Sequence, residues 1–209
     1  MSSEILEKLF GSAGRVKIIR LFLSNGGNVF AIKEIAQKTK VSPSLCRREI
    51  RLLEKISFIE KKSSTFQELL KLKNGRIKNA KKRIEGYSLN GSFPLIVGLK
   101  SLILNASPLS KLSVGRMART AGKVKLFIIA GFLIQGEESR VDLLIAGDSL
   151  KKSSIERTVQ AIEAEVGRDV TYAVMTTQEF KYRLDMCDKF VRDILDGPHE
   201  KVINKMGVV

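Results

Sequence analysis

The chain is poor in the residues that most often carry chemistry. It has one histidine, two cysteines and no tryptophan among 209 residues, and aromatics make up 6%. With one imidazole, a Ser-His-Asp or Cys-His mechanism would have to use His199, which follows Gly197-Pro198 in what reads as a loop. Cys46 and Cys187 lie far apart and lack metal-ligand spacing, which excludes structural zinc and argues against a disulfide. No metal or cofactor is expected. The scarcity of aromatics speaks against a stacking platform for single-stranded RNA. No apolar run reaches the roughly 18 residues needed to span a bilayer. Met1 to Lys8 lacks the basic start and apolar core of a signal peptide, so the cytoplasm is the expected location and a membrane is not an expected partner.

Acid is missing from particular places. No aspartate precedes Asp142, and no acid lies between Glu85 and Glu137. The chain carries 37 Lys and Arg against 22 Asp and Glu, net +15. Residues 1–136 hold 26 basic and 8 acidic side chains, whereas residues 137–209 hold 11 and 14. A half so basic implies a polyanionic partner.

The most informative run is Val41-Ser42-Pro43-Ser44-Leu45-Cys46-Arg47-Arg48-Glu49-Ile50-Arg51-Leu52-Leu53. Ser42 suits a helix N-cap, and Pro43 the first helical position, where its missing N–H is harmless. Cys46, Ile50 and Leu53 then form one apolar stripe at i, i+4, i+7. Ser44, Arg47, Arg48, Arg51 and Lys55 fall on a different stripe. Such a helix can bury one face and offer Ser and Arg to a major groove, where Arg pairs with guanine or phosphate oxygens. A solvated basic face is the plainer alternative.

The context favours nucleic acid. Ile32, Ile35 and Ala36 mark a short helix over 31–39, separated from the Ser42 cap by a tight turn with Val41 at the junction, the helix-turn-helix pattern. Val16, Ile19 and Leu23 predict a scaffold helix upstream. Downstream, 58–62 and 86–90 read as paired strands flanking a basic wing. That wing carries Lys61, Lys62, Lys71, Lys73, Arg76, Lys78, Lys81, Lys82 and Arg83 against the single acid Glu68. It suits tracking a phosphate backbone rather than reading bases. Residues 1–92 are therefore expected to form a winged helix that binds double-stranded DNA.

Residues 93–122 read as a helical linker. Leu95, Leu99, Leu102 and Ile103 share a face, which either packs on its own domain or pairs two copies into a homodimer. Arg116, Arg119, Lys123 and Lys125 extend the nucleic-acid face or are simply solvated. From Lys123 the texture becomes alternating α/β. Strands are predicted over 124–130, 141–147 and 170–175, helices over 152–166 and from the run 176–180 with Thr177 as its cap, and a last helical piece over 189–195. The fold class is α+β.

Residues 123–209 resemble the minimal nucleotidyltransferase domain of the polymerase-beta superfamily. The family's signature is a Gly-Ser turn after the first strand, an Arg-Gly step and two aspartates one residue apart on the second strand. Here Gly131 takes the glycine, Phe132 stands where serine belongs and Gln135-Gly136 replaces Arg-Gly. Arg140 stands at the first metal aspartate, and Asp142 retains the second. An arginine there puts positive charge where a divalent cation would sit, and one aspartate cannot hold two magnesium ions. The resemblance thus implies a retained fold without catalysis; Asp169 is a candidate for the family's third carboxylate, and the plainer reading of Asp142 is a strand-end residue capping a turn. The whole chain resembles prokaryotic regulators that fuse a winged helix to such a degenerate domain. The resemblance implies a sequence-specific transcriptional regulator, with room for a nucleotide or protein effector at the second domain. Two alternatives stay open: an active nucleotidyltransferase, and an RNA-binding or antitoxin-type module.

Overall fold

The computed structural model describes residues 2–71, 77–104, 111–134, 136 and 139–208. The fold is α+β. Its first part runs α1 (Ser2–Phe10), α2 (Ala13–Ser24), α3 (Ile32–Thr39), α4 (Pro43–Lys55), β1 (Ile59–Lys71) and β2 (Ile77–Leu89). Helix α2 starts where the Ser12 hydroxyl accepts from the Arg15 N–H at 3.2 Å, the cap bond that satisfies an orphan donor. Helix α3 ends on Lys40 in the left-handed region, φ 55°. The following turn returns Val41 N–H to the Ala36 carbonyl, so α4 leaves at once in a new direction.

The apolar stripe of α4 is buried as its spacing predicts: Cys46, Ile50 and Leu53 join Ile18, Phe22 and Ile35 in one core. Strands β1 and β2 form an antiparallel ladder from Ile59↔Leu89 out to Lys71↔Ile77. The predicted strand pair is thus far longer than five residues a side. Hydrogen bonding continues along a ribbon of about 40 Å, taking about 3.3 Å per residue. Phe30 adds a third short line to its base by bridging Tyr87. This approach requires Gly86, since a Cβ there would sit 2.3 Å from the Phe30 carbonyl oxygen.

Helices α5 (Ile96–Leu104) and α6 (Lys111–Arg119) connect to the second part. The shared face expected of Leu95, Leu99, Leu102 and Ile103 is split. Ile103 is fully buried against the first core, Leu99 packs partly on it, and Leu95 (63%) and Leu102 (45%) are exposed. Leu95 precedes the helix, and α5 rests on α2 along the Leu99–Ile103 line, which leaves its neighbours in solvent.

The second part contains β3 (Lys123–Ala130), a 3-10 turn (Gly131–Ile134), β4 (Leu143–Asp148), α7 (Lys152–Val166), β5 (Tyr172–Thr176), α8 (Thr177–Asp185), α9 (Lys189–Asp196) and β6 (His199–Asn204). The sheet order is β5-β4-β3-β6, with β4 and β5 parallel and the other pairs antiparallel. Phe127, Ile129, Leu143 and Ile145 face α6 and α7, while Leu126, Ile128, Leu144 and Ala146 face α8 and α9. Both faces are covered, which is why β3 and β4 read as unbroken apolar runs. Two expectations fail here. His199 opens the strand β6, paired with Ala130, rather than sitting in a loop. The cap of α8 is Thr176, whose hydroxyl accepts from Glu179 N–H at 3.0 Å, and Thr177 is the first helical residue. Among the described residues no helix is long and apolar enough to cross a membrane.

The two parts are locked together by the C-terminal end of α7. Gly167 caps that helix with φ +76°, and a Cβ there would lie within 2.7–2.9 Å of the Arg20 and Leu21 backbone. Arg20, 1% exposed, donates through Nη1 to the Glu165 carbonyl. The Asn25 amide donates to the carbonyls of Leu21 and Gly167 at 2.8 and 2.6 Å. At the rim, Lys17 pairs with Glu165 and Lys38 with Asp169, each at 2.7 Å. An exposed pair such as Lys38–Asp169 contributes about 0–1 kcal/mol, and each bond of the neutral Asn25 amide about 0.5–1.5 kcal/mol. The Arg20 guanidinium, whose Nε and Nη2 are buried with no partner among the described residues, offsets by its desolvation what its one bond contributes. The backbone approach at Gly167 and the Asn25 bonds therefore hold the seam.

Gly86→Ala and Gly167→Ala should each cost on the order of 3 kcal/mol by driving a methyl into backbone. Gly91→Ala, with no heavy atom within 4 Å of the added Cβ, should be nearly neutral. Urea unfolding of the three variants checks this, and equal stabilities would refute the close approaches.

Candidate nucleic-acid interface

With one face of α4 sealed in the core, Ser44, Arg47, Arg48, Arg51 and Lys55 are all exposed, together with Ser42 in front of them. Ser42 holds the cap position, but its hydroxyl makes no cap bond; it lies 3.4 Å from the Ser44 hydroxyl. This corrects the expectation of a side-chain cap and leaves both hydroxyls at the surface. The Cys46 thiol is pushed up in pKa by burial, against the opposing pull of Arg47, so it stays a neutral packing group.

Ion pairing sorts the basic side chains. Arg48 lies 3.3 Å from Glu49, Lys61 lies 2.9 Å from Glu54, and Arg83 lies 3.5 Å from Glu85. The Glu54 carboxylate raises the Lys61 pKa, first by its hydrogen bond and then by its charge. Among the described residues Arg47, Arg51, Lys55 and Lys62 have no carboxylate partner. These four are the cations freest to meet a phosphate. The wing residues Lys71, Lys78, Lys81 and Lys82 belong to the ladder, opposite Ile77, Leu70, Gln67 and Phe66 respectively. Lys73 and Arg76 lie outside the described residues. At the base of the ribbon, Lys61, Lys62 and Arg83 line a groove of about 500 Å³ with Ile32 and Tyr87.

Glu49 is the residue of α4 that stripe reasoning overlooks. It sits on α4 with its side chain fully buried, and its Oε2 accepts from Arg15 Nε at 2.7 Å. Arg15 also donates to the Phe10 carbonyl at 2.7 Å, so one carboxylate ties α4 to the junction of α1 and α2. On its other side it meets Arg48, one of the exposed arginines. The available signal was an acid between two arginines on a helix whose neighbours are otherwise basic.

The positions aligned with the nucleotidyltransferase signature do different work from one another. Asp142 is buried, and its Oδ2 accepts from the Thr171 N–H at 2.8 Å and hydroxyl at 2.6 Å. Gly131 has φ +55° and lies so close that a Cβ would be 2.9 Å from Asp142 Oδ1. Arg140 is paired with Asp193, and Phe132 lies beneath the Arg168 guanidinium, 4.0 Å from its ring centroid. Asp169 is held by Lys38 across the seam. The structure therefore brings Gly131 and Asp142 together and sends Arg140 and Phe132 to other partners. Comparison of the chain with family models, with curated proteins and with solved structures found no match.

Burial raises the Glu49 pKa, but the hydrogen bond and charge of Arg15, then Arg48 and Ser12, bring it below the ordinary value overall. Its contribution to stability is thus fully present above the unfolded carboxylate value of about 4.3. It is lost as pH falls through the lower folded value. Glu49→Gln should cost about 2 kcal/mol at pH 7 and flatten the fall in Tm between pH 5 and pH 3, both read by thermal denaturation across that range. An unchanged pH profile would rule out the pairing.

Proposed function

We propose that this chain is a sequence-specific DNA-binding transcriptional regulator of the cytoplasm. In this reading residues 1–92 are a winged helix, α4 is the recognition helix and the β1–β2 ribbon is the wing. The observation that carries the reading is the division of α4: Cys46, Ile50 and Leu53 are buried, while Ser44, Arg47, Arg51 and Lys55 stand exposed, the three cations with no carboxylate partner among the described residues. A solvated helix face ordinarily mixes signs, and this one leads directly into a basic ribbon. Ser44, Arg47, Arg48 and Arg51 would meet base edges and flanking phosphates. Lys62, Arg83 and the outer lysines of the wing would grip the backbone.

Residues 123–209 are a nucleotidyltransferase-like domain without catalysis. Support comes from Asp142, whose carboxylate is spent on the Thr171 backbone and hydroxyl, and from the Arg140–Asp193 pair at the position of the family's other metal aspartate. The regulator acts as a homodimer, and the exposed Leu95, Val97 and Leu102 around α5 are the surface that would be covered.

Fluorescence anisotropy with the chain's own upstream DNA, a scrambled duplex and single-stranded RNA tests the reading. The upstream duplex should bind about a thousandfold more tightly than the scrambled one. Ser44→Ala with Arg48→Ala should relax that preference, costing about 1–3 kcal/mol on the preferred duplex. Lys62→Ala with Arg83→Ala should weaken both duplexes alike and reduce the salt slope by about one per side chain. Equal binding to all three probes, untouched by either pair of changes, would sink the assignment.

A further inference from the structure

The seam between the two parts encloses a cleft of about 790 Å³, within the roughly 300–1,000 Å³ typical of small-molecule sites. Its floor is apolar and comes from Leu21, Ala36 and Val41 of the first part. Its opposite wall comes from the C-terminal half of α7 and the turn after it, including Gln160, Glu163 and Arg168. At its edge Gly167 lets the end of α7 approach the backbone of α2.

The polar groups around it favour an anion. Of its two acids, Asp169 is engaged by Lys38 at 2.7 Å, and Glu163 Oε1 accepts from the Val170 N–H at 3.0 Å. Its other two cations have no carboxylate partner among the described residues. Lys40 donates to Gln160 Oε1 at 2.7 Å, and Arg168 rests on the Phe132 ring. That leaves two charges to receive a phosphate. The Gln37 side-chain amide and the Gln160 NH₂, which has no hydrogen-bond partner among the described residues, offer donor and acceptor groups of the kind that match a nucleobase edge. The second oxygen of Glu163 can accept from a sugar hydroxyl.

We propose that this interdomain cleft binds a mononucleotide, with Lys40 and Arg168 on the phosphate, the apolar floor under the base, and Gln37 and Gln160 at its edge. Asp142, at a position aligned with the nucleotidyltransferase signature, is committed to Thr171 and does not line the cleft, whereas Phe132, another of those positions, lies beneath Arg168. Val41 and Ser42 also line the cleft, and Ser42 immediately precedes α4. Occupancy therefore bears on the start of the helix assigned above to DNA. Only this consequence rests on the DNA-binding reading; nucleotide binding itself does not.

Calorimetric titration of the full chain with AMP, GMP, CMP and UMP tests the proposal, with inorganic phosphate as the anion alone. At least one nucleotide should bind at a single site, tenfold or more tighter than phosphate. Lys40→Ala and Arg168→Ala should each weaken it about tenfold, with circular dichroism unchanged. Lys100→Ala, on α5 and not lining the cleft, should leave it as it is. The proposal is overturned if no nucleotide binds better than phosphate, or if the tightest binder is indifferent to both cleft variants. It is equally overturned if those variants weaken binding to any duplex while no nucleotide binds, which would make Lys40 and Arg168 phosphate contacts for DNA. A nucleotide that binds without changing duplex affinity would keep the site and remove only its link to α4.

Discussion

The arrangement of this molecule depends on one backbone contact, the approach of Gly167 to Arg20 and Leu21. A helix end must satisfy its last carbonyls, and here α7 does so partly through another part of the chain: Arg20 takes the Glu165 carbonyl and Asn25 takes the Gly167 carbonyl. Because these donors come from α2 and its C-cap residue, and α2 also supports α3 and α4, the sheet domain is registered against the elements that carry the exposed arginine face. Any larger residue at 167 would need both the left-handed conformation and space that backbone already fills.

Charge in the chain is organised by whether it is matched. Arg15, Arg20 and Lys17 are basic residues spent on structure, bound to Glu49, to the Glu165 carbonyl and to the Glu165 carboxylate. Among the described residues Arg47, Arg51, Lys55 and Lys62 remain unmatched at the surface, the condition under which a cation contributes to binding a polyanion. Glu49 links the two sets, since it anchors Arg15 within the fold and steadies Arg48 at the edge of the exposed face. The net excess of positive charge is therefore only an outer measure; the unmatched subset carries the consequence.

Much was legible in advance, and for identifiable reasons. The α4 stripe was visible because i, i+4, i+7 spacing reports directly on burial, and α7 matched its predicted span of 152–166 because Gly167 ends it cleanly. Strand β6 was missed because Gly197-Pro198 and a lone histidine look like a loop, although the adjacent Val202 and Ile203 were a β-branched signal. The wing was read as two short strands with a basic stretch between them, because lysine-rich segments carry little strand propensity. Pairing with a partner of equal length supplied the order that composition did not. The face of α5 was divided because periodicity specifies which residues align, and not how wide a surface the neighbouring helix covers.

The sequence by itself determined the spacing of α3, its turn and α4, the segregation of basic from acidic halves, and the apolar strands. These are local properties, set by residue type and by distances along the chain. Only the tertiary structure decided which arginines are spent and which are free, that Asp142 belongs to Thr171, and that the two parts enclose a cleft between α3 and the end of α7. Most of these properties depend on partners well separated along the chain, 29 residues for Asp142 and Thr171 and 145 for Arg20 and Glu165, and no periodicity within either segment encodes the other's position.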